Sequence, residues 1–211
     1  AFYDLLWDDD AKRAEDTGNK ERGGGERYTG ESDFFLSHTW SYRFRDLVAI
    51  VEAFERRLAP QKTQYYWFDI FVMNQHSEHD LSQRLLLENL RAAVSAPGRV
   101  LLALDSWREH TPLARVWCLL EIWTAMNVGA EVVMCLSEAE QASFAANLAR
   151  NQAEVHRALD AVDAEQAQAT VETDREVILG LIRDGTGFER FNRTIRDALR
   201  HSFELVAVAS A

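Results

Sequence analysis

The sequence has few cysteines, few prolines and no long apolar run. Its 211 residues include three Pro and two Cys, and both thiols, Cys118 and Cys135, lie inside apolar segments. Two such cysteines provide neither a disulfide framework nor the ligand spacing of a zinc site. No apolar run reaches the length of a membrane-spanning helix, and no signal peptide is visible. We therefore expect a cytoplasmic protein that does not enter a membrane.

Positive charge is scarce as well. The chain has 23 Lys and Arg against 34 Asp and Glu, which gives a formal net charge of −11 at pH 7. Such a charge repels the phosphates of nucleic acids and the head groups of anionic lipids. We therefore expect neither nucleic acid nor membrane as a partner. Hydrophobic residues make up 47% of the chain, which is enough for one sizeable core.

The usual nucleotide-binding and acyl-transfer motifs are also missing. The sequence contains neither GxGxxG nor GxxxxGK[ST], and its glycine cluster, "RGGGER" (22–27), precedes the first predicted strand. No GxSxG motif is present, and Cys118 lies in a predicted helix without an obvious His partner. These absences disfavour nucleophilic acyl transfer. They also mean that any bound nucleotide is held without the usual glycine-rich cradle.

The pattern after residue 32 is that of one α/β domain. Residues 1–32 are charged and Gly-rich, which predicts a flexible leader, and we place the domain at 33–205 and a tail at 206–211. Within the domain, short apolar runs alternate with segments of helical periodicity. Strands that are nearly continuous in apolar residues and are each followed by a helix predict a doubly wound, five-stranded parallel sheet with helices on both faces. The candidate strands are 33–37, 65–72, 99–105, 131–137 and 167–172.

Doubly wound sheets bind ligands at the carboxyl ends of their strands, where the strand order reverses. The candidate loops at that edge are 37–43, 69–79 and 104–113. This placement follows from the sheet geometry alone. It directs attention to the polar and aromatic residues of these three loops.

The first loop, "SHTWSYR" (37–43), is rich in such residues. Ser37, His38 and Thr39 are suited to hydrogen bonds with phosphate or ribose. Trp40 and Tyr42 are suited to stacking on a base. The other interpretation is a helix cap with aromatic side chains packed on the surface. The sequence leaves both open.

The second and third loops give weaker signals. Asp69 interrupts an aromatic strand and is either a ligand contact or an acceptor for loop amides. His76 and His79 superficially resemble metal ligands, but without further ligands nearby we predict no metal site. The third loop brings Ser106 and Trp107 to the same edge of the sheet.

The segment "RVWCLLEIW" (115–123) contains one carboxylate in an apolar, aromatic run. A buried carboxylate is costly unless something pairs with it. Trp117 and Glu121 are four residues apart and so share a helix face. Either Glu121 faces a ligand cavity, or it forms a structural ion pair with Arg115 or another nearby Lys or Arg. The structural ion pair is the commoner arrangement.

Three stretches of the sequence resemble the TIR (Toll/interleukin receptor) domain family. "DFFLSHTWSYRFRDLVAIVEAFERRL" (33–58) is similar to the first strand, loop and helix of that family, and "YYWFD" (65–69) to its second strand. "RVLLALDSWREHTPLARVWCLLEIW" (99–123) is similar to its third strand, Ser-containing loop and Trp-Cys-x-x-Glu helix. The resemblance covers about 33–136 in the correct order and spacing.

This resemblance implies a flavodoxin-like fold of strand order 2-1-3-4-5. In the enzymatic branch of the family it also implies cleavage of the nicotinamide–ribose bond of NAD, which is a substrate, with no separate cofactor. It further implies self-association through TIR-type contacts and a role in stress or immune signalling. The catalytic residue falls on Glu121. The predicted substrate-binding residues of the loops and helix are Ser37, His38, Thr39, Trp40, Arg43, Asp69, Ser106, Trp107 and Trp117.

Two departures from the family keep other functions open. Where many relatives have a basic residue in the first loop, this chain has His38-Thr39-Trp40, and its first Arg there is Arg43. The second loop has no Gly, although that loop often takes part in assembly contacts. A noncatalytic TIR-type interaction module is therefore an alternative. A nucleoside deoxyribosyltransferase-like enzyme, with Glu121 as a covalent nucleophile, is a third.

Overall fold

A computed structural model describes residues 29–58, 63–72, 83–108 and 111–209. Most of the predicted leader, together with His76 and His79, lies outside the described residues. Strands alternate with helices along the described chain. The strands are β1 (Phe34–Ser37), β2 (Tyr66–Trp67), β3 (Arg99–Leu104) and β4 (Glu131–Leu136). The helices are α1 (Phe44–Glu55), α2 (Asp69–Val72), α3 (Gln83–Ser95), α4 (Val116–Val128), α5 (Glu138–Arg150), α6 (Gln152–Asp160), α7 (Glu172–Asp184) and α8 (Phe188–Ala209).

The strands form a parallel sheet of order β2-β1-β3-β4, with Phe35 opposite Trp67 on one side and Val100 on the other. The prediction of an α/β fold with a parallel sheet is confirmed, and the fold is roughly flavodoxin-like. The predicted fifth strand is wrong, because the described part of the sheet has four strands. Residues 167–172 make one parallel bridge, between Gln168 and Arg115. Gln168 exchanges backbone hydrogen bonds with the residues on either side of Arg115, so this segment pairs with the chain at the start of α4 and not with the sheet.

Alternating side chains of the sheet enter two separate cores. Phe34 and Leu36 pack against α1, whereas Phe35 packs on the opposite face with residues of α3, α4 and α8. Successive side chains of a strand point to opposite faces of the sheet, so a strand that is covered on both faces contributes alternate residues to two cores. The prediction of helices on both faces of the sheet is therefore confirmed.

Helix α4 lies centrally in the larger core. Seven of its residues are buried: Val116, Cys118, Leu119, Leu120, Ile122, Thr124 and Ala125. The helix ends at Gly129, whose φ of 74° is in the left-handed region that glycine adopts without strain. A helix buried on nearly all sides has little freedom to rotate, so its packing fixes the direction of Glu121.

The last helix closes the domain against β4. The hydroxyl of Ser202 accepts a hydrogen bond of 2.8 Å from the backbone N–H of Met134. Val206 is buried in the core, and α8 continues to Ala209, into the residues that the sequence analysis assigned to a tail. None of the helices in the described residues combines the length and apolar character that a membrane span needs.

Candidate active site

The end of β1 meets the second turn of α4 through a pair of polar side chains. The hydroxyl of Ser37 donates a 2.5 Å hydrogen bond to Oε2 of Glu121. Ser37 is fully buried, while Glu121 keeps part of its surface exposed. Ser37 is the last residue of β1, at the edge where the strand order reverses. The structure thus brings together two side chains that the sequence analysis placed in one site.

Glu121 is held in an environment that disfavours its charge. Loss of water is the largest effect, and it raises the pKa of Glu121 to about 8, although the hydrogen bond from Ser37 acts in the opposite direction. The negative charge of Asp69 raises this pKa further. In the part of the chain that the structure describes, the ion pairs do not include Glu121, and the guanidinium of Arg115 bonds to Thr170 instead. The structural ion pair with Arg115, one of the two sequence interpretations, is therefore absent.

Cys118 lies one turn before Glu121 and ties the first loop to α4. Its thiol donates to the backbone carbonyl of His38 over 3.2 Å. Burial is the main cause that raises the pKa of this thiol, and the nearby charge of Glu121 adds to it. Cys118 is therefore a neutral structural group and not a thiolate nucleophile.

Asp69 joins the first two loops. Its Oδ2 accepts a hydrogen bond of 2.6 Å from the indole N–H of Trp40, and its Oδ1 lies 3.8 Å from Nε2 of His38. Oδ1 also accepts the N–H of Ile70 over 2.8 Å, which fixes the carboxylate at the start of α2. Burial lowers the pKa of His38, although the charge of Asp69 opposes this, so the imidazole is neutral at pH 7.

The outer side of this cluster is aromatic and open to solvent. Trp40, Phe44 and Phe71 are 57%, 55% and 70% exposed, and we call these three residues the aromatic rim. The rings of Phe44 and Phe71 meet edge to face, with centroids 6.2 Å apart. Aromatic side chains together with a few polar groups commonly line the sites of small molecules.

The other predicted residues of the first loop and of α4 have different surroundings. Thr39 is buried and shares a 3.1 Å hydrogen bond with Ser41. Arg43 is exposed and directly precedes α1. The indole of Trp117 is partly buried, and its N–H donates to Oδ2 of Asp174 over 3.3 Å.

The third loop is arranged differently from the prediction. The indole of Trp107 is completely buried against Phe144, and its N–H donates to Ser143 of α5 over 3.2 Å. Its ring is therefore closed to any ligand in this structure. Ser106 is half-buried, and its hydroxyl accepts the backbone N–H of Arg108. These contacts do not bring Trp107 or Ser106 to the pair of Ser37 and Glu121.

Sequence reasoning missed several partners of the site. Tyr42 was expected to stack, but its hydroxyl donates to Oδ1 of Asp105 over 2.8 Å and accepts the N–H of the same residue, which joins the loops after β1 and β3. An Asp directly after a buried strand was the available signal for Asp105. Asp174 follows Trp117 by 57 residues, and nothing in the local sequence links the two.

The described residues contain no group of three or more His, Cys, Asp or Glu that is arranged to hold a metal ion. The chain matches no protein-family model, no curated protein and no solved structure. The relation to TIR domains therefore stays a prediction from the residues quoted above.

Proposed function

We propose that the chain is a TIR-like NAD nucleosidase that cleaves the bond between nicotinamide and ribose. The observation that carries this proposal is the position of Glu121 at the carboxyl edge of a parallel sheet, bonded to Ser37 and not to a basic residue. A carboxyl group that is partly desolvated and has no ion pair is a recognised feature of functional sites. The products are nicotinamide and either ADP-ribose or its cyclic form.

The main requirement of this reaction is a negative charge close to C1′ of the ribose. The bond between C1′ and the ring nitrogen breaks, and its electron pair neutralises the cationic nicotinamide ring. Positive charge then develops at C1′, and a carboxylate at that position stabilises it. One such preorganised group contributes about 3 kcal/mol, or about a hundredfold in rate. Water, which loses its proton to Glu121 or to solvent, or a nitrogen of the adenine ring then forms the new bond to C1′.

The raised pKa of Glu121 fits a substrate that carries its own positive charge. With a pKa of about 8, the free protein holds Glu121 mostly as the neutral acid at pH 7. A cationic nicotinamide ring next to it favours the carboxylate form, because an opposite charge at close range lowers the pKa of an acid. Binding of NAD thereby promotes loss of the proton, and the charged form is present when the bond breaks.

Release of nicotinamide from NAD by the purified protein tests the proposal. We expect release by the wild type and a loss of about a hundredfold or more in Glu121→Gln, which keeps the shape and an acceptor for Ser37. Glu131→Gln is a matched control, because Glu131 is an exposed residue at the opposite, amino end of β4. No release by the wild type, or equal release by Glu121→Gln, would contradict the proposal.

A noncatalytic interaction module is the second candidate, and the aromatic rim is the observation that favours it. Phe44 and Phe71 expose more than half of their surface, which suits burial against another protein. This candidate predicts association that rises with protein concentration, through TIR-type contacts, and no release of nicotinamide. Sedimentation of the wild type beside Phe71→Ser, together with the NAD assay, separates the two candidates.

A further inference from the structure

Trp40 is an exposed side chain held in one orientation. More than half of its surface is open to solvent, so burial contributes little to fixing the ring. Its N–H instead donates to a carboxylate over 2.6 Å. Hydrogen bonds to a charged acceptor are roughly twice as strong as neutral ones, which offsets the entropy lost in ordering an exposed side chain.

The indole held in this way is linked to the Glu121 site through Asp69 and the first loop. Trp40 follows Ser37 by three residues, and Ser37 is bonded to Glu121. Asp69, which holds the indole, also lies 3.8 Å from the imidazole of His38, the residue after Ser37. A continuous set of contacts therefore connects the indole to the carboxyl group that acts on the substrate in the proposed function.

We propose that Asp69 is a positioning residue, which holds the indole of Trp40 as a stacking wall for the cationic nicotinamide ring of NAD without itself contacting the substrate. This inference rests on the proposed function for the identity of the ligand. The nicotinamide ring is bonded to C1′, so a site that places C1′ at Glu121 places this ring close by. Tryptophan is the side chain whose face attracts cations most strongly, and the carboxylate of Asp69 adds negative charge beside it.

The assignment predicts that the site distinguishes NAD from NADH. Both molecules have the same size and phosphate groups, but the dihydronicotinamide ring of NADH is neutral. Cation–π attraction to Trp40 is present for NAD alone, and it is lost again when cleavage releases neutral nicotinamide. We expect NADH to bind about tenfold more weakly than NAD.

The test follows the indole N–H resonance of Trp40 by NMR, in protein labelled with ¹⁵N at tryptophan. The resonance is assigned by its loss in Trp40→Phe, and titrations with NAD and NADH use the Glu121→Gln protein so that no ligand is consumed. We expect the Trp40 resonance to move with NAD and the affinity for NADH to be about tenfold lower. Leu205→Ala, which truncates an exposed apolar residue of α8, is the control and should change neither affinity.

Variants of the pair decide whether Asp69 acts through Trp40. Asp69→Ala and Trp40→Ala should each weaken NAD binding about tenfold and abolish the preference over NADH. The double variant should be no weaker than either single variant, because both changes remove one interaction. Asp69→Asn keeps an oxygen acceptor for the indole, and it should restore most of the preference that Asp69→Ala loses.

The outcomes separate this inference from the proposed function. Equal affinities for NAD and NADH, an unmoved Trp40 resonance, or additive losses in the double variant would overturn the role of Asp69, even if the wild type releases nicotinamide. Conversely, the expected preference with no nicotinamide release by the wild type would support the stacking wall and contradict the nucleosidase.

Discussion

The loops that follow β1 and β3 begin alike and end differently. Each has a tryptophan three residues after the last residue of its strand, Trp40 after Ser37 and Trp107 after Leu104. Trp40 is 57% exposed and is held by a carboxylate, whereas Trp107 has no exposed surface and is enclosed by α5. The same residue at the same position is thus part of a candidate site in one loop and part of the core in the other. The difference comes from helix α5, which encloses Trp107, and not from the local sequence.

Truncating the two tryptophans should give the largest contrast. Trp107→Ala removes a completely buried ring and should lower the free energy of unfolding by about 3–5 kcal/mol. Trp40→Ala removes a mostly exposed ring and should cost less than about 1 kcal/mol. Urea denaturation followed by circular dichroism measures both. Similar losses for the two variants would show that exposure does not separate these loops.

The pH dependence of NAD cleavage tests the candidate site in the loop after β1, through the protonation state of Glu121. In the proposed nucleosidase the active form of Glu121 is the carboxylate. Burial raises the pKa of this group to about 8, so kcat/KM should increase with pH through this value. Between pH 7 and pH 9 the increase should be about tenfold. Among the nearby groups, His38 has a lowered pKa and Cys118 a pKa raised well above its usual value, so neither titrates in this range.

A companion variant checks that this profile reports Glu121. Asp69→Asn removes a negative charge that raises the pKa of Glu121, so the rise of kcat/KM should move to lower pH. Tyr42→Phe leaves the charges around Glu121 unchanged and should leave the midpoint where it is. A wild-type profile that is flat between pH 7 and pH 9 would contradict the assignment of Glu121.

The smallest effect is expected at the contact that joins the two loops. Tyr42→Phe removes the hydrogen bonds between the phenol and Asp105 and should lower the free energy of unfolding by about 1 kcal/mol. Thermal unfolding beside the wild type measures the change. Nicotinamide release should stay within about twofold, because the pair of Ser37 and Glu121 does not depend on this phenol. A large loss of activity would mean that the two loops form a single site.

Much of the fold follows from local pattern, and the exceptions have a common cause. Short runs that are nearly continuous in apolar residues predicted the parallel strands. The carboxyl-edge rule pointed to the loop that begins at Ser37, and the resemblance to TIR domains pointed to Glu121. Residues 167–172 have a similar composition to a strand, yet Gln168 pairs with Arg115, because the edge of a sheet and the start of a helix offer the same backbone groups. The burial of Trp107 and the bond from Trp117 to Asp174 depend on α5 and α7, which lie far along the chain. Local periodicity contains no information on such contacts.

The hydrogen bond between Ser37 and Glu121 joins residues 84 positions apart in the chain. Contacts of such long sequence separation form late, after the intervening segments have lost most of their conformational freedom. A partly folded chain with every helix in place but β1 still unpaired would contain all the side chains of the site and none of its geometry. If the proposed nucleosidase activity holds, release of nicotinamide would then report completion of the sheet more strictly than helical content does.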